Sequence, residues 1–358
     1  MPRRGSYYTS GSGLARRTGG VSYLTVSRRE HAAGAESVVA NGAGDWKAVY
    51  RDLSNIEDVR ITLCEPNSEL RMSLKMAFQG IGIRDLDDGA SLRGVENVLE
   101  LGEVDLLIWD TSCAGGDVCQ LTHDIRHHRL GKNPFLPIIT IVTDATPANI
   151  RKVMESGPDD LLVKPISTDF LFSRIMSMVE RKRLFVVTSD YIGPERRKKN
   201  RQLQDLPQLM EVPNPLRDRA TGVEDTPELQ KAVDEAIRDL NDRKMGQHAI
   251  RIADQVELIV PIYKKGGGDE RVLSHLDRLQ YASVDLARRV NGTPYEFIGE
   301  LTMAMVHLVG RIKAEYLAPD SKEVDLLPEL SSAIKAAFDE EEGAAELAQR
   351  ISQSIRER

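Results

Sequence analysis

The chain has 358 residues, is 41% hydrophobic and 29% charged, and carries a formal net charge of −7; this is the balance of an ordinary globular protein, with length for about two domains plus tails. A charge so modest gives no bulk attraction to nucleic acid or to an anionic membrane, and no apolar run approaches the roughly 18 residues of a membrane span. Arg3 and Arg4 have no apolar stretch behind them, so no secretory signal is expected, and three cysteines without a CxxC pair (Cys64, Cys113 and Cys119) argue against a disulfide framework or structural zinc and for a reduced, cytoplasmic chain.

Residues 1–45, most of a tail that reaches residue 56, are rich in Gly, Ser, Ala and Arg and show no sustained period. Such a segment buries too little apolar surface to offset its ordering entropy, and a largely disordered tail is expected, with a short helix near Trp46–Leu53 leading into the first domain. The basic pairs Arg3-Arg4, Arg16-Arg17 and Arg28-Arg29 read as solvated tail residues.

From Val59 short apolar runs alternate with amphipathic stretches. Val59–Cys64 reads as a buried strand, Ser68–Gln79 as a helix with Leu70, Leu74, Ala77 and Phe78 on one face, Ile83–Leu86 as a short strand and Ser91–Leu101 as a helix. Val104–Trp109 is a third strand, Val118–Arg129 a helix, Pro137–Val142 a fourth strand, Pro147–Glu155 a helix, Leu161–Val163 a fifth strand and Thr168–Arg181 a fifth helix. Strands and helices in strict alternation predict an α/β domain over 57–184, a doubly wound five-stranded parallel sheet covered on both faces. Residues 185–225 hold the apolar piece Leu184–Val187, the basic run Arg196–Arg201 and Pro207, Pro213 and Pro215, and are expected to be a linker or docking segment. The rest, 226–358, reads as helices only: one opened by Thr226-Pro227, one over Gly246–Tyr263, one over Asp269–Val290 ending at Asn291-Gly292, one from Thr293-Pro294 to Tyr316, and two near Asp325–Phe338 and Glu341–Arg356. An all-α helical bundle is the predicted second region.

In open parallel sheets chemistry gathers beyond the carboxyl ends of the strands. The residues at those ends are Glu65-Pro66-Asn67 after strand one, Asp110 after strand three, Thr143 after strand four and Lys164-Pro165 after strand five. An acid, a second acid, a hydroxyl and an ammonium at one rim suit phosphoryl transfer to a carboxylate. Asp110 is the nucleophile, a hard divalent cation neutralises phosphate oxygens, and Thr143 and Lys164 bind the remaining oxygens.

Here the segment resembles the receiver domain of bacterial two-component response regulators. RITLCEPNSELR is similar to the first strand and turn of that family, LLIWDTSCAGGD to its phosphoacceptor strand and loop, PIITIVTDAT to its hydroxyl-bearing strand and DDLLVKPIS to its Lys-Pro strand end. YIGPERR (Tyr191–Arg197) resembles an extension that follows the receiver in one group of these regulators. The resemblance implies a flavodoxin-like fold with Asp110 as phosphoacceptor, Thr143 as switch hydroxyl and Lys164 as phosphate-sensing lysine, joined to Pro165 by a cis bond. It also implies Mg2+ held by Glu65, Asp110 and the backbone carbonyl of Cys113, and a histidine kinase or phosphotransfer protein as donor.

Four departures bear on that chemistry. Pro66 stands where the family has a second acid and offers no ligand atom, so metal binding is expected to be weak, with the longer Glu65 compensating in part. Asp144 follows the hydroxyl where the family has a small residue, and it repels a phosphoryl group unless it turns outward or binds the metal. The loop after Asp110 reads Cys113-Ala114-Gly115, and the position of the aromatic switch is Leu161. Two readings stand: a response regulator of a phosphorelay, phosphorylated on Asp110 and signalling through a protein partner of the helical region, or a degenerate receiver acting as a phosphorylation-independent scaffold.

Other features have plainer readings. Arg196–Arg201 lacks the aromatic interleaving of a nucleic-acid site. His307 is expected to be a core or interface histidine. His123, His127 and His128 lack a third ligand at metal spacing and are expected at the surface, and Gly266–Gly268 lacks the Lys-Ser/Thr of a phosphate loop. The helical region shows no helix-turn-helix and no enzyme's residue set, so no catalytic activity is expected of it.

Overall fold

The computed structural model describes residues 55–102, 104–196, 209–223, 226–266 and 268–338. All of them lie in one compact unit, Lys47–Arg358. The helices expected near Trp46–Leu53 and Glu341–Arg356, the basic pairs of the tail and most of Arg196–Arg201 fall outside the described residues.

The apolar runs fold into the expected parallel sheet. Strands β1 (Ile61–Cys64), β2 (Leu86–Gly89), β3 (Leu106–Asp110), β4 (Ile138–Val142) and β5 (Asp160–Val163) are ordered β2-β1-β3-β4-β5, with every pairing parallel. Residues of β1, β3 and β4 are buried throughout, because helices cover both faces of such a sheet. Helices α1 (Ser68–Gly80) and α5 (Thr168–Glu180) meet through Phe78 and Phe172. Helices α2 (Val95–Leu101) and α3 (Val118–Arg126) share a core with Trp109 and Ile138, and α4 (Pro147–Ser156) contributes Val153 beside Val142 and Cys119. Side chains that satisfy the first-turn N–H groups fix the strand-to-helix turns: Asn67 accepts from Leu70 N at 2.9 Å, Asp117 from Cys119 N at 2.8 Å and Ser167 from Phe170 N at 3.2 Å.

Several boundaries differ from expectation, among them those of β2 and α2. The second strand lies at Leu86–Gly89 rather than Ile83–Leu86. It is an edge strand of sequence LDDG, and its charges blunt the exposed edge while hiding the usual strand pattern. Helix α2 starts at Val95 rather than Ser91, because the preceding Gly94 takes a left-handed conformation at φ 88°.

The expected linker is partly folded. β6 (Arg183–Val187) pairs antiparallel with β7 (Ile192–Pro194) on one side and β8 (Met210–Val212) on the other, followed by the short helix α6 (Pro215–Ala220). Phe185, Val187, Ile192, Met210 and Val212 point inward and pack with Phe135 and Leu240, so this segment shares a core with both neighbouring regions. The fully buried Arg126 guanidinium donates to the carbonyls of Gly157, Pro134 and Leu136 at 2.7–2.8 Å and to Asp159 at 2.7 Å. Arg183 of β6 reaches the other oxygen of Asp159 at 2.6 Å and the carbonyl of Pro213 at 3.0 Å. Arg196, the described residue of the basic run, donates to the carbonyls of Met154 (2.8 Å) and Pro158. It anchors this segment to the turn after α4.

Among the described residues the C-terminal region is a helical bundle of α7 (Pro227–Lys264), α8 (Glu270–Val290), α9 (Gly299–Ala314) and α10 (Ser321–Ala336), around a core that includes Ile252, Ile259, Leu279, Leu286, Met305, Leu308, Leu327 and Ile334. Two expected helices are one: α7 runs through Gly246 for 38 residues. A single glycine costs about 1 kcal/mol inside a helix, and the buried stripe Leu240, Met245, Ala249, Ile252 and Val256 continues across it. Gly268, after α7, has a steric reason, since a Cβ there would lie 1.8 Å from the carbonyl oxygen of Tyr316. No helix among the described residues is long and apolar enough to cross a membrane.

Bundle and receiver-like domain meet in a buried polar seam that departs from the sequence reading. His127 is fully buried, against the expected surface position, and stacks on His123 with ring centroids 3.8 Å apart; burial holds its imidazole neutral. His307 is exposed on α9 rather than part of the core. Lys244 of α7 is also buried, and its amine donates to the carbonyls of Thr188 and Ser189, both at 2.7 Å. Burial, and then the nearby Arg289, push its pKa down to about 7. A neutral amine has two N–H donors, the number of acceptors it meets. Between pH 7 and the ordinary lysine pKa of about 10.4 the folded chain binds less than one proton at this site while the unfolded chain binds one, so stability rises with pH across that window. Denaturation midpoints at pH 7 and pH 9 should therefore differ by about 2 kcal/mol of stability in favour of pH 9, and Lys244→Met should remove the difference. Equal pH dependence in the two proteins would refute this assignment.

Candidate functional site

The carboxyl ends of β1, β3 and β5 bring three charged side chains to one point. Strand order reverses between β1 and β3, the switch point at which doubly wound sheets place ligands. Glu65 and Asp110 flank that crevice and both are fully buried. The ammonium of Lys164 lies between them, 2.8 Å from each oxygen of Glu65 and 2.8 Å from Asp110 Oδ2. The Lys164–Pro165 bond is cis, as the resemblance implied. Burial opposes charge on Lys164, but its contacts with Asp110 and Glu65 prevail and raise its pKa above the ordinary lysine value.

The second oxygen of Asp110 is held locally. Oδ1 accepts from the backbone N–H of Ser112 at 2.6 Å and from the Ser112 hydroxyl. Glu65 is held in the same way, with Oε1 accepting from Asn67 N at 2.8 Å, while Arg71 Nη1 caps the Glu65 carbonyl at 2.5 Å. Asp110 Oδ2 and Glu65 Oε2 lie within ion-pair distance of Lys164, yet no well-directed hydrogen bond reaches either of these buried atoms. Two buried carboxylate oxygens with spare acceptor capacity face the same crevice.

Those two oxygens decide the fit of a divalent cation. Mg2+ takes hard oxygen donors, keeps several waters and is commonly held by one or two protein carboxylates. Glu65 and Asp110 supply them, and the Cys113 carbonyl belongs to the loop whose N–H donates to the Asp110 carbonyl at 3.0 Å. Pro66 is exposed and adds no donor. Among the described residues no group of three or more His, Cys, Asp or Glu side chains could hold a metal. The donor set thus fits an ion that keeps most of its water and competes with Lys164 for the same two acids. The thiols play no part: burial pushes the pKa of Cys64 up to about 12 and of Cys113 up to about 11, so neither is a thiolate ligand at neutral pH.

Thr143 stands exposed one residue beyond β4, at the same end of the sheet. Asp144 turns outward: its carboxylate accepts from Thr146 N at 2.9 Å and Thr146 Oγ1 at 3.0 Å, and its carbonyl accepts from Asn149 at 2.7 Å. These bonds tie it to the turn before α4 and leave the crevice to Glu65, Asp110 and Lys164. Leu161, at the position of the aromatic switch, is half-buried beside Cys119, Val142 and Val153. Ser112 is the site residue that sequence reasoning missed. A serine two residues after a strand-end aspartate is the signal that could have found it, because short hydroxyl side chains bond to acceptors one turn away.

No protein-family model matches the chain, and no curated protein does. Among solved structures the chain is similar to HP1043, an orphan response regulator of H. pylori, at 20% identity over 34% of this chain and 96% of that one, with a TM-score of 0.30. It is similar to the chemotaxis response regulator CheY4 of Vibrio cholerae at 16% identity over 33% and 97%, TM-score 0.29, and to a two-component response regulator from Clostridium difficile at 20% over 34% and 97%, TM-score 0.31. At these scores the likeness decides nothing about chemistry. The flavodoxin-like fold stands on the strand order β2-β1-β3-β4-β5 and its parallel pairings.

Proposed function

We propose that residues 57–184 form a phosphoacceptor receiver, that Asp110 takes a phosphoryl group from a histidine kinase or phosphotransfer protein, and that the helical bundle carries the output to a protein partner. The observation that carries this reading is the buried Asp110 carboxylate, whose Oδ2 lies 2.8 Å from the Lys164 ammonium at the switch point of the sheet. A carboxylate is a weak nucleophile, and a neighbouring cation that neutralises phosphate oxygens is the activation such a transfer needs. Asp110 Oδ2 attacks phosphorus, the donor leaves with the bridging electron pair, and an acyl phosphate remains on Asp110. Lys164 then pairs with the new phosphoryl oxygens. Mg2+ held by Glu65 and Asp110 would add charge neutralisation. Thr143 is the hydroxyl nearest in sequence to that end of β4, and we assign it to the phosphoryl group once it is present.

Incubation of the full chain with acetyl phosphate and Mg2+ should add the mass of one phosphoryl group, and Asp110→Asn should abolish the addition. No addition at any Mg2+ concentration would sink the acceptor reading and leave the phosphorylation-independent scaffold in its place.

A further inference from the structure

We infer that α3 couples the acceptor loop to the helical bundle, so that the phosphorylation state of Asp110 and the docking of α8 bias one another. The inference rests on the acceptor reading above and adds how that site is regulated. The amino end of α3 begins where the acceptor loop ends. Asp110 binds Ser112 and Cys113 of that loop, and Asp117 closes it by capping α3 at Cys119 N (2.8 Å) while its other oxygen holds Lys152 of α4, also at 2.8 Å. A change at Asp110 therefore acts on the cap of α3 through a few residues of loop.

The carboxyl end of α3, about 13 Å away at 1.5 Å per residue, is held by the bundle. The His127 carbonyl accepts from Arg288 Nη2 at 3.2 Å and Arg289 Nη2 at 3.1 Å, cations at a helix C-terminus, where the peptide dipole favours them. His128 follows in the left-handed region at φ 53°, a conformation that costs energy for a residue with a Cβ and persists where the surroundings hold it. Arg129 then reaches Asp285 of α8 at 2.7 Å. Between these ends α3 is a packed strut, with Val118, Cys119, Thr122, Ile125 and Arg126 buried. Packed interfaces of this kind switch between discrete arrangements rather than deforming continuously. A bias applied at one end is then felt at the other, and the coupling is reciprocal.

The bundle's grip has two partly exposed members, Arg129 and Arg288, at 29% and 42% side-chain exposure, which can be changed without emptying the core. Hydrogen-exchange mass spectrometry on the full chain tests the coupling in both directions. In the unphosphorylated chain, Arg129→Gln with Arg288→Gln should speed exchange of the amides of 111–119 by about fivefold or more, the lower end of ordinary allosteric coupling. In wild-type chain shown by intact mass to carry a phosphoryl group, exchange in 240–250 and 281–290 should change by a similar factor, and the double variant should lose that response. A folded double variant with wild-type exchange in 111–119, or a phosphorylated wild type with an unaltered bundle, overturns the coupling. A chain that takes no phosphoryl group overturns the acceptor reading instead, and the unphosphorylated comparison still judges the coupling.

Discussion

Lys164→Met should slow phosphoryl uptake from acetyl phosphate by about 10²–10³-fold, the usual loss when one group stabilising transition-state charge is removed. It should also make the folded chain dependent on divalent cation. In the wild type one ammonium lies 2.8 Å from both oxygens of Glu65 and from Oδ2 of Asp110. Methionine fills similar space and carries no charge. Two buried carboxylates are then left facing each other, and breaking a buried pair by removing one partner costs about 3–5 kcal/mol. Like charges in one site cannot both stay ionised, so the variant either takes up a proton there or loses stability. Mg2+ can occupy the gap using the two oxygens that lack a directed hydrogen bond. Urea midpoints measured with and without Mg2+ should therefore move further apart in the variant than in the wild type. Equal shifts in the two proteins, or uptake at the wild-type rate, would count against both the role of Lys164 and the proposed cation site.

How much of this site was legible before the structure follows from where its parts lie. Glu65 and Asp110 close apolar runs that are buried whole, Lys164 closes the shorter apolar run of β5, and a parallel sheet carries the ends of such runs to one rim. The residues that read clearly as strands therefore also placed the charges. The LDDG edge strand did not read as one, because its charges belong to an edge. The three-stranded sheet of β6, β7 and β8 was hidden for another reason. Its strands are 3–5 residues long, and its core is completed by Phe135 and Leu240, which lie far off in sequence. Gly246 reads locally as a helix boundary, and the buried stripe that carries α7 across it is a tertiary feature. The roles inside the crevice were legible only in part. Residue type indicated that Asp144 would conflict with a phosphoryl group unless turned away, but not that Thr146 would hold it in the turn before α4. The bonds from Ser112 to one oxygen of Asp110 have a local signal, a serine two residues after a strand-end aspartate, that the sequence reading passed over.

The least legible feature has one of the largest expected effects. Asp285→Asn should cost about 3–5 kcal/mol of folding stability, as breaking a buried charge network does. Arg129 and Asp285 are 156 residues apart in sequence, and nothing local marks either as a partner of the other. In the folded chain Asp285 is buried and binds Arg289 Nε at 2.7 Å, His248 Nε2 at 2.9 Å and Arg129 Nη2 at 2.7 Å. Burial opposes its charge, but His248, Arg289 and Arg129 outweigh burial and hold its carboxyl well below the usual carboxylate range. An asparagine keeps the shape and removes the anion, which leaves the buried Arg289 without its counter-charge and turns an N–H toward cations. The pH dependence identifies the cause. A carboxyl with a depressed folded pKa contributes its full stabilisation above the unfolded value of about 3.9 and loses it as pH falls toward the folded value. The gap between wild type and Asp285→Asn should thus be constant from about pH 5 to neutrality and shrink below about pH 4. Denaturant titrations at pH 7, 5 and 3.5 decide it: a gap that stays the same at pH 3.5 would mean that lost packing, and not the lost anion, sets the cost.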